Sequence, residues 1–127
     1  MLALVGVGGA IGAVLRYMIG EWIPDGFPWG TLTVNLLGSL ILGIIVGMSL
    51  SAEMGLLLGT GIMGAFTTMS AYSVDLVELF ENGEYGPAAS YLLMTLLGCP
   101  LLAYGGMKIM HIFHLQVTLC LLLHGQL

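Results

Sequence analysis

The chain has 127 residues, of which 58% are hydrophobic and 7% charged, with a mean hydropathy of +1.05 and a formal net charge of −5. Soluble domains carry roughly 25% charged residues, so this composition describes an integral membrane protein. Because crossing a hydrocarbon core of ~30 Å takes about 20 apolar residues, four spans nearly exhaust the length, and no soluble catalytic or nucleic-acid-binding domain fits beside them.

The first predicted span runs from Leu2 to about Ile23 and is rich in small residues. Gly8 and Gly12 stand four apart on one face, the spacing that lets membrane helices approach closely. Arg16 lies towards the end of this span, followed by Tyr17, Glu21 and Trp22. It reads either as an arginine snorkelling to the interface beside aromatic residues or as a buried cation that organises a loop or attracts an anion. The segment from Pro24 to Trp29, with two prolines, Asp25 and Gly26, is a turn.

The second span covers Gly30 to about Ser49. Asn35 and Ser39 share a face at i and i+4. An asparagine inside a membrane helix costs free energy unless it is hydrogen-bonded. Its two donors and one acceptor suit it either to hold helices together or to line a permeation path.

Ser51 to Glu53 form a tight polar loop before the third span, Met54 to about Phe80. Its middle, GTGIMGAFTTMSAYS (Gly59–Ser73), sets three glycines directly before a hydroxyl cluster of Thr67, Thr68, Ser70 and Ser73. Glycine weakens a helix through backbone entropy, and Ser and Thr redirect local hydrogen bonds away from the helical ladder. The expectation is a helix broken near mid-membrane. Freed carbonyls at that depth are tolerated where they are buried in protein or face water or an ion, and an ion site is the functional reading. Close packing through small residues is the alternative. Asp75, Glu78 and Glu81 then make one face acidic, as a solvated helix end or a vestibule.

After a loop at Asn82 to Pro87, the fourth span runs from Ala88 to about Met110. Tyr91, Thr95 and Cys99 form a polar stripe at i, i+4 and i+8. The remainder, 111–127, carries scattered His111, His114 and His124, which do not read as a metal site, and its apolar run Leu115 to Leu123 is too short to span; it is expected to be a helix extension or an interfacial tail.

The basic residues number two, Arg16 and Lys108. Orientation normally follows the Lys/Arg asymmetry between loops, so insertion in both orientations is open. The first segment lacks the basic flank of a secretory signal and is expected to be retained. Cys99 and Cys120 sit in apolar sequence without close-spaced partners and read as packing residues. With few titratable groups inside the membrane, acid–base catalysis is not expected.

Three segments, GGAIGAVLRY (Gly8–Tyr17), GTLTVNLLGS (Gly30–Ser39) and GIMGAFTTMSAYS (Gly61–Ser73), resemble the signature segments of the Fluc (CrcB-type) fluoride channels. That resemblance implies an all-α membrane protein of four transmembrane helices in a single domain, with the third broken, paired as an antiparallel dual-topology dimer in the cell membrane. It implies export of cytoplasmic fluoride and a sodium ion at the dimer centre, held by backbone carbonyls of Gly64 and Thr67 from the two subunits. The implied pore lining is Asn35, Ser39, Thr68, Met69, Ser70, Tyr72, Tyr91 and Thr95, with Arg16 and Asp75 in structural roles. Met69 and Tyr72 stand where the family has phenylalanines whose ring edges face fluoride, and Ala65 replaces a usual glycine. The expected partners are fluoride, the bilayer and a second copy of the chain, or a homologous subunit that keeps the phenylalanines, and no nucleic acid. The alternatives are a small dual-topology multidrug transporter, which needs a carboxylate deep in the first span where only Glu21 at its far end is present, and a non-conducting partner subunit.

Overall fold

The computed structural model describes residues 1–24 and 26–124. Asp25 of the first turn and residues 125–127 of the tail lie outside the described residues. All regular structure among the described residues is helical. Helix α1 covers Leu2–Trp22 and α2 Trp29–Gly47. The third span is assembled from α3 (Ala52–Met54), a wide π-helical segment (Gly55–Met63), α4 (Gly64–Phe66) and α5 (Met69–Glu81). Helix α6 runs unbroken from Tyr85 to His124, a length of 40 residues. Among the described residues, four stretches are long and apolar enough to cross a membrane: Leu2–Trp22, Trp29–Gly47, Ala52–Glu81 and Tyr85–Leu123.

The bundle is built from two close helix pairs. In one, α1 lies against the π-helical segment and α4; in the other, α2 lies along α6. Glycine decides how near the backbones come. A Cβ on Gly12 would strike the Ile62 carbonyl, and one on Gly8 would strike the Leu57 carbonyl. The second pair uses the same device: Gly43 faces the backbone of Ala103, and Gly106 faces Leu40 and Gly43. Lipid is as apolar as leucine, so the hydrophobic effect does little to join helices within a bilayer, and close backbone approach through small residues takes its place. Packing of this kind also permits weak Cα–H···O contacts to the facing carbonyls.

Two small cores lie inside. One joins Leu32, Tyr72, Leu79, Ala88 and Tyr91, and the other Val34, Met63 and Phe66. Asn35 falls between them on α2 and is itself buried, at 7% exposure. Much of the remaining apolar surface is exposed, as a lipid-facing wall requires. At Pro100, α6 continues although proline has no N–H to donate to the Leu96 carbonyl one turn earlier.

Candidate ion-conduction site

The helical backbone of the third span stops at Phe66 and restarts at Met69. Between them Thr67 (φ −79°, ψ 156°) and Thr68 (φ −149°, ψ 113°) are extended. Local chemistry prepares the stop. The Thr67 hydroxyl and the Thr67 N–H both donate to the Met63 carbonyl, each at 3.1 Å, the last ladder bond before the chain turns extended. Thr68 caps the restart: its Oγ1 accepts from the Ala71 N–H at 3.2 Å and lies 3.2 Å from the Ser70 hydroxyl. That is the side-chain geometry of a helix N-cap.

What holds the two extended residues in place comes from another helix. Asn35 of α2 accepts from the Thr68 N–H at 2.7 Å, and its Nδ2 donates to the Thr68 carbonyl at 3.1 Å. The amide thus pairs with one residue's backbone on both sides, as a neighbouring strand would. In a continuous helix the Thr68 N–H would bond to the Gly64 carbonyl; here it is spent on Asn35. One N–H of the Asn35 amide remains for another acceptor. Ser39, one turn on, donates to the Asn35 carbonyl at 2.7 Å, which is its own helix ladder and leaves its lone pairs free.

Asn35, Ser39, Thr67, Thr68, Met69, Tyr72, Thr95 and Cys99 line one open groove of about 640 Å³, together with Leu96 and Pro100 of α6. Thr95 is the notable member, because its Oγ1 is buried and has no hydrogen-bond partner among the described residues. Met69 is 71% exposed and Tyr72 only 6%. Ser70 is exposed and held by Thr68 rather than lining this groove. Gly64 is exposed on the surface of the bundle and Thr67 half-buried.

Tyr91 is placed differently from the other stripe residues. It is fully buried, its ring lies 5.1 Å from Tyr72 and 5.6 Å from Phe27, and its hydroxyl donates to Asp75 at 3.0 Å. Asp75 in turn lines a separate vestibule of about 290 Å³ with Phe27, Thr31, Glu78, Asn82 and Glu84. The structure therefore brings Asn35, Ser39, Thr68, Met69, Tyr72 and Thr95 to one groove and sets Tyr91 and Asp75 between that groove and the end of the bundle. Arg16 is half-buried beside a third, smaller space of about 280 Å³, shared with Thr31, Val34, Thr68 and Ala71. It is the basic residue near Thr68; Lys108 lies at the opposite end, beside Gly47 and Ser49.

Pro100 is the lining residue that a search for polar side chains passes over. Its signal was a lone proline within an apolar run, which frees the Leu96 carbonyl.

Similarity to known proteins covers the same region. The model of the family described as CrcB-like protein, Camphor Resistance (CrcB), matches residues 3–107. A fluoride-specific ion channel FluC of Agrobacterium fabrum is 47% identical over 104 residues, covering 75% of this chain and 83% of that protein. Those of Rhizobium etli and Thermus thermophilus are both 41% identical, over 116 and 114 residues; each alignment covers 84% of this chain, with 93% and 90% of the relative.

Proposed function

This chain belongs to the CrcB-like family, and from that premise we infer that it is a fluoride-specific ion channel and not an enzyme, a multi-pass protein of the cell membrane that lets cytoplasmic fluoride leave down its electrochemical gradient. The observation that carries the reading is the open groove at the interrupted third span, lined by the neutral donors Asn35, Thr68 and Thr95 among apolar side chains. Fluoride is small and strongly hydrated, so it leaves water only where replacement donors are arranged along its way. The free N–H of Asn35 and the unpartnered Thr95 hydroxyl are available for that role. The N-terminal end of α5 adds a positive partial charge at the same place. The Tyr91 hydroxyl, committed to Asp75, serves an anion only by exchanging that bond, which assigns it to the approach rather than to the groove. Efflux from liposomes holding the purified chain tests the function directly. Fluoride is released and chloride retained; equal release of both, or of neither, overturns it.

The working unit is an antiparallel pair, with the third span of each subunit interrupted at mid-membrane. Charge supports this. Arg16 and Lys108 lie towards opposite ends of the bundle, so neither end has a basic excess to fix orientation. Glu21, Glu78, Glu81 and Glu84 gather at one end, and an antiparallel partner balances that asymmetry. The carbonyls of Gly64 and Thr67 fit a sodium ion shared between the two copies: they are main-chain oxygens, the donor type that hard cations take, and Gly64 has lost Thr68 as its helical donor and faces outward. When bound, the ion supplies a fixed positive charge beside the anion path. A pair with a homologous subunit is the second reading, favoured only by Met69 and Tyr72 in place of phenylalanines.

A further inference from the structure

Helix α2, with 19 residues, ends where Gly47 faces the Met107 backbone and the Met110 Cβ. Helix α6, with 40 residues, runs on past that point as the same helix. Ser49, at φ +50° where α2 turns away, shares an open space of about 420 Å³ with Met107, Lys108 and His111. Over residues 107–114, therefore, α6 leaves its partner at the level of the loop between the second and third spans. Its sequence there is MKIMHIFH (Met107–His114).

Helical spacing puts the four sulfur and imidazole side chains of that stretch on one face. Met107 with His111, and Met110 with His114, stand at i and i+4; the two methionines, and the two histidines, stand at i and i+3. Met107 is 44% exposed, His111 and His114 are exposed and Met110 is half-buried. None of the other seven methionines has a Met or His three or four residues away. The histidines by themselves make no metal site, and among the described residues no three His, Cys, Asp or Glu side chains group around one. The thioethers complete the set. Lys108 is drawn away from this face, its Nζ standing 5.4 Å from the centre of the Tyr104 ring one turn earlier.

Donor chemistry then selects the ion. A thioether is a soft, neutral ligand that suits Cu(I), and imidazole binds copper through its neutral nitrogen. Zinc takes thiolate, imidazole or carboxylate, and calcium and magnesium take oxygen; no acidic residue follows Glu84 to supply it on this helix. With four neutral donors and a lysine nearby, a single positive charge is repelled less than a double one. We propose that Met107, Met110, His111 and His114 form a binding site for a soft monovalent metal ion of the Cu(I) class. Methionine is unbranched and flexible, so the two thioethers can close on an ion held by an imidazole. The site is independent of the fluoride path, because none of its residues lines the groove at the interrupted span.

Silver(I) is the redox-stable probe. The full chain, with both cysteines in place and its methionine methyl groups labelled with carbon-13, is titrated with silver nitrate in chloride-free detergent solution. Each methyl signal is assigned by a Met→Leu substitution. Cys99 and Cys120 also take silver, but the methyl signals report each thioether separately. The signals of Met107 and Met110 are expected to move together and saturate first, ahead of Met18, which is equally exposed at 44%, and of Met69 at 71%. The double variant His111→Gln, His114→Gln is expected to raise the silver concentration needed at least about tenfold, with helicity unchanged by circular dichroism. Equal movement of Met18 and Met69 overturns the site as indiscriminate thioether binding. An unchanged titration in the histidine variant overturns the shared site, and an equal response to zinc overturns the soft-ion assignment. Fluoride release by the histidine variant, measured from liposomes without added metal, is expected to match that of the unmodified chain, so failure of the metal site and failure of the channel reading are told apart.

Discussion

At the scale of single residues, Asn35 carries two tasks with one amide. Two of its polar atoms hold Thr68 in its extended geometry, and the remaining N–H is the one proposed above as a donor to fluoride. Asn35→Asp keeps the acceptor for the Thr68 N–H but sets an oxygen against the Thr68 carbonyl. Leaving buried polar groups opposed in this way costs about 1–3 kcal/mol. Fluoride flux is expected to fall at least tenfold while the pair still assembles, with lower thermal stability in detergent; unchanged flux would reduce Asn35 to a helix-holding role. Thr68→Val removes the cap of α5 and is expected to cost about 1 kcal/mol, whereas Thr68→Ser preserves it, and denaturant titration of the two variants checks the difference. Met69→Phe and Tyr72→Phe are expected to alter the rate without creating the activity, because Tyr72 already supplies a buried ring packed on Tyr91. If the unmodified chain is silent and conducts only after both substitutions, it is half of a mixed channel. Sequence alone singles out Asn35 and the hydroxyl cluster because polar residues are rare in an apolar helix. It does not pair Asn35 with Thr68, 33 residues away, since that meeting is decided by how α2 crosses the third span.

At the scale of elements, glycine placement determines which helices touch. Gly12→Ala would drive a methyl group into the Ile62 backbone, and overpacking of this kind costs about 1–3 kcal/mol. Gly6→Ala meets nothing within 4 Å and is the matched control. The first is expected to lower the yield and stability of folded protein in detergent and the second to leave both unchanged, as read by size-exclusion profiles after heating. A comparable loss in Gly6→Ala would point to helix propensity rather than contact. The Gly8–Gly12 spacing announces the first helix pair. The second pair, through Gly43, Gly47 and Gly106, carries the same four-residue signal in α2, but its partner on α6 is fixed only by the parallel register of the two helices, in which Gly43 meets Ala103 and Gly47 meets Met107. At the interruption, Gly64→Val adds bulk beside carbonyls assigned to sodium and is expected to abolish flux, while Thr67→Ser, which keeps the hydroxyl bond to Met63, should conduct nearly as well. Normal flux in Gly64→Val would remove that assignment.

For the whole molecule, the sparse and evenly split basic residues predict both orientations in one membrane. A cysteine introduced at Leu2, in a chain lacking Cys99 and Cys120, should be labelled by an impermeant reagent in about half of the molecules in intact cells and in the remainder only after permeabilisation. Labelling from one side alone would rule out the antiparallel pair. Adding Lys or Arg near one end would bias insertion and is expected to lower flux in proportion to the lost partner orientation.

Composition and periodicity by themselves determined that this chain lives in a membrane, that it crosses about four times, and that its hydroxyl side chains cluster at Thr67 and Thr68. These are properties of short stretches, set by transfer free energy and by the local competition of hydroxyl groups for backbone partners. Only the tertiary structure decided that Asn35 closes on Thr68, that Tyr91 spends its hydroxyl on Asp75 instead of the groove, that Thr95 is left unpartnered, and that α6 runs far beyond its partner helix. Each depends on which faces meet when helices distant in sequence pack. In a bilayer that choice rests on small residues and backbone shape, which hydrophobic patterning does not encode.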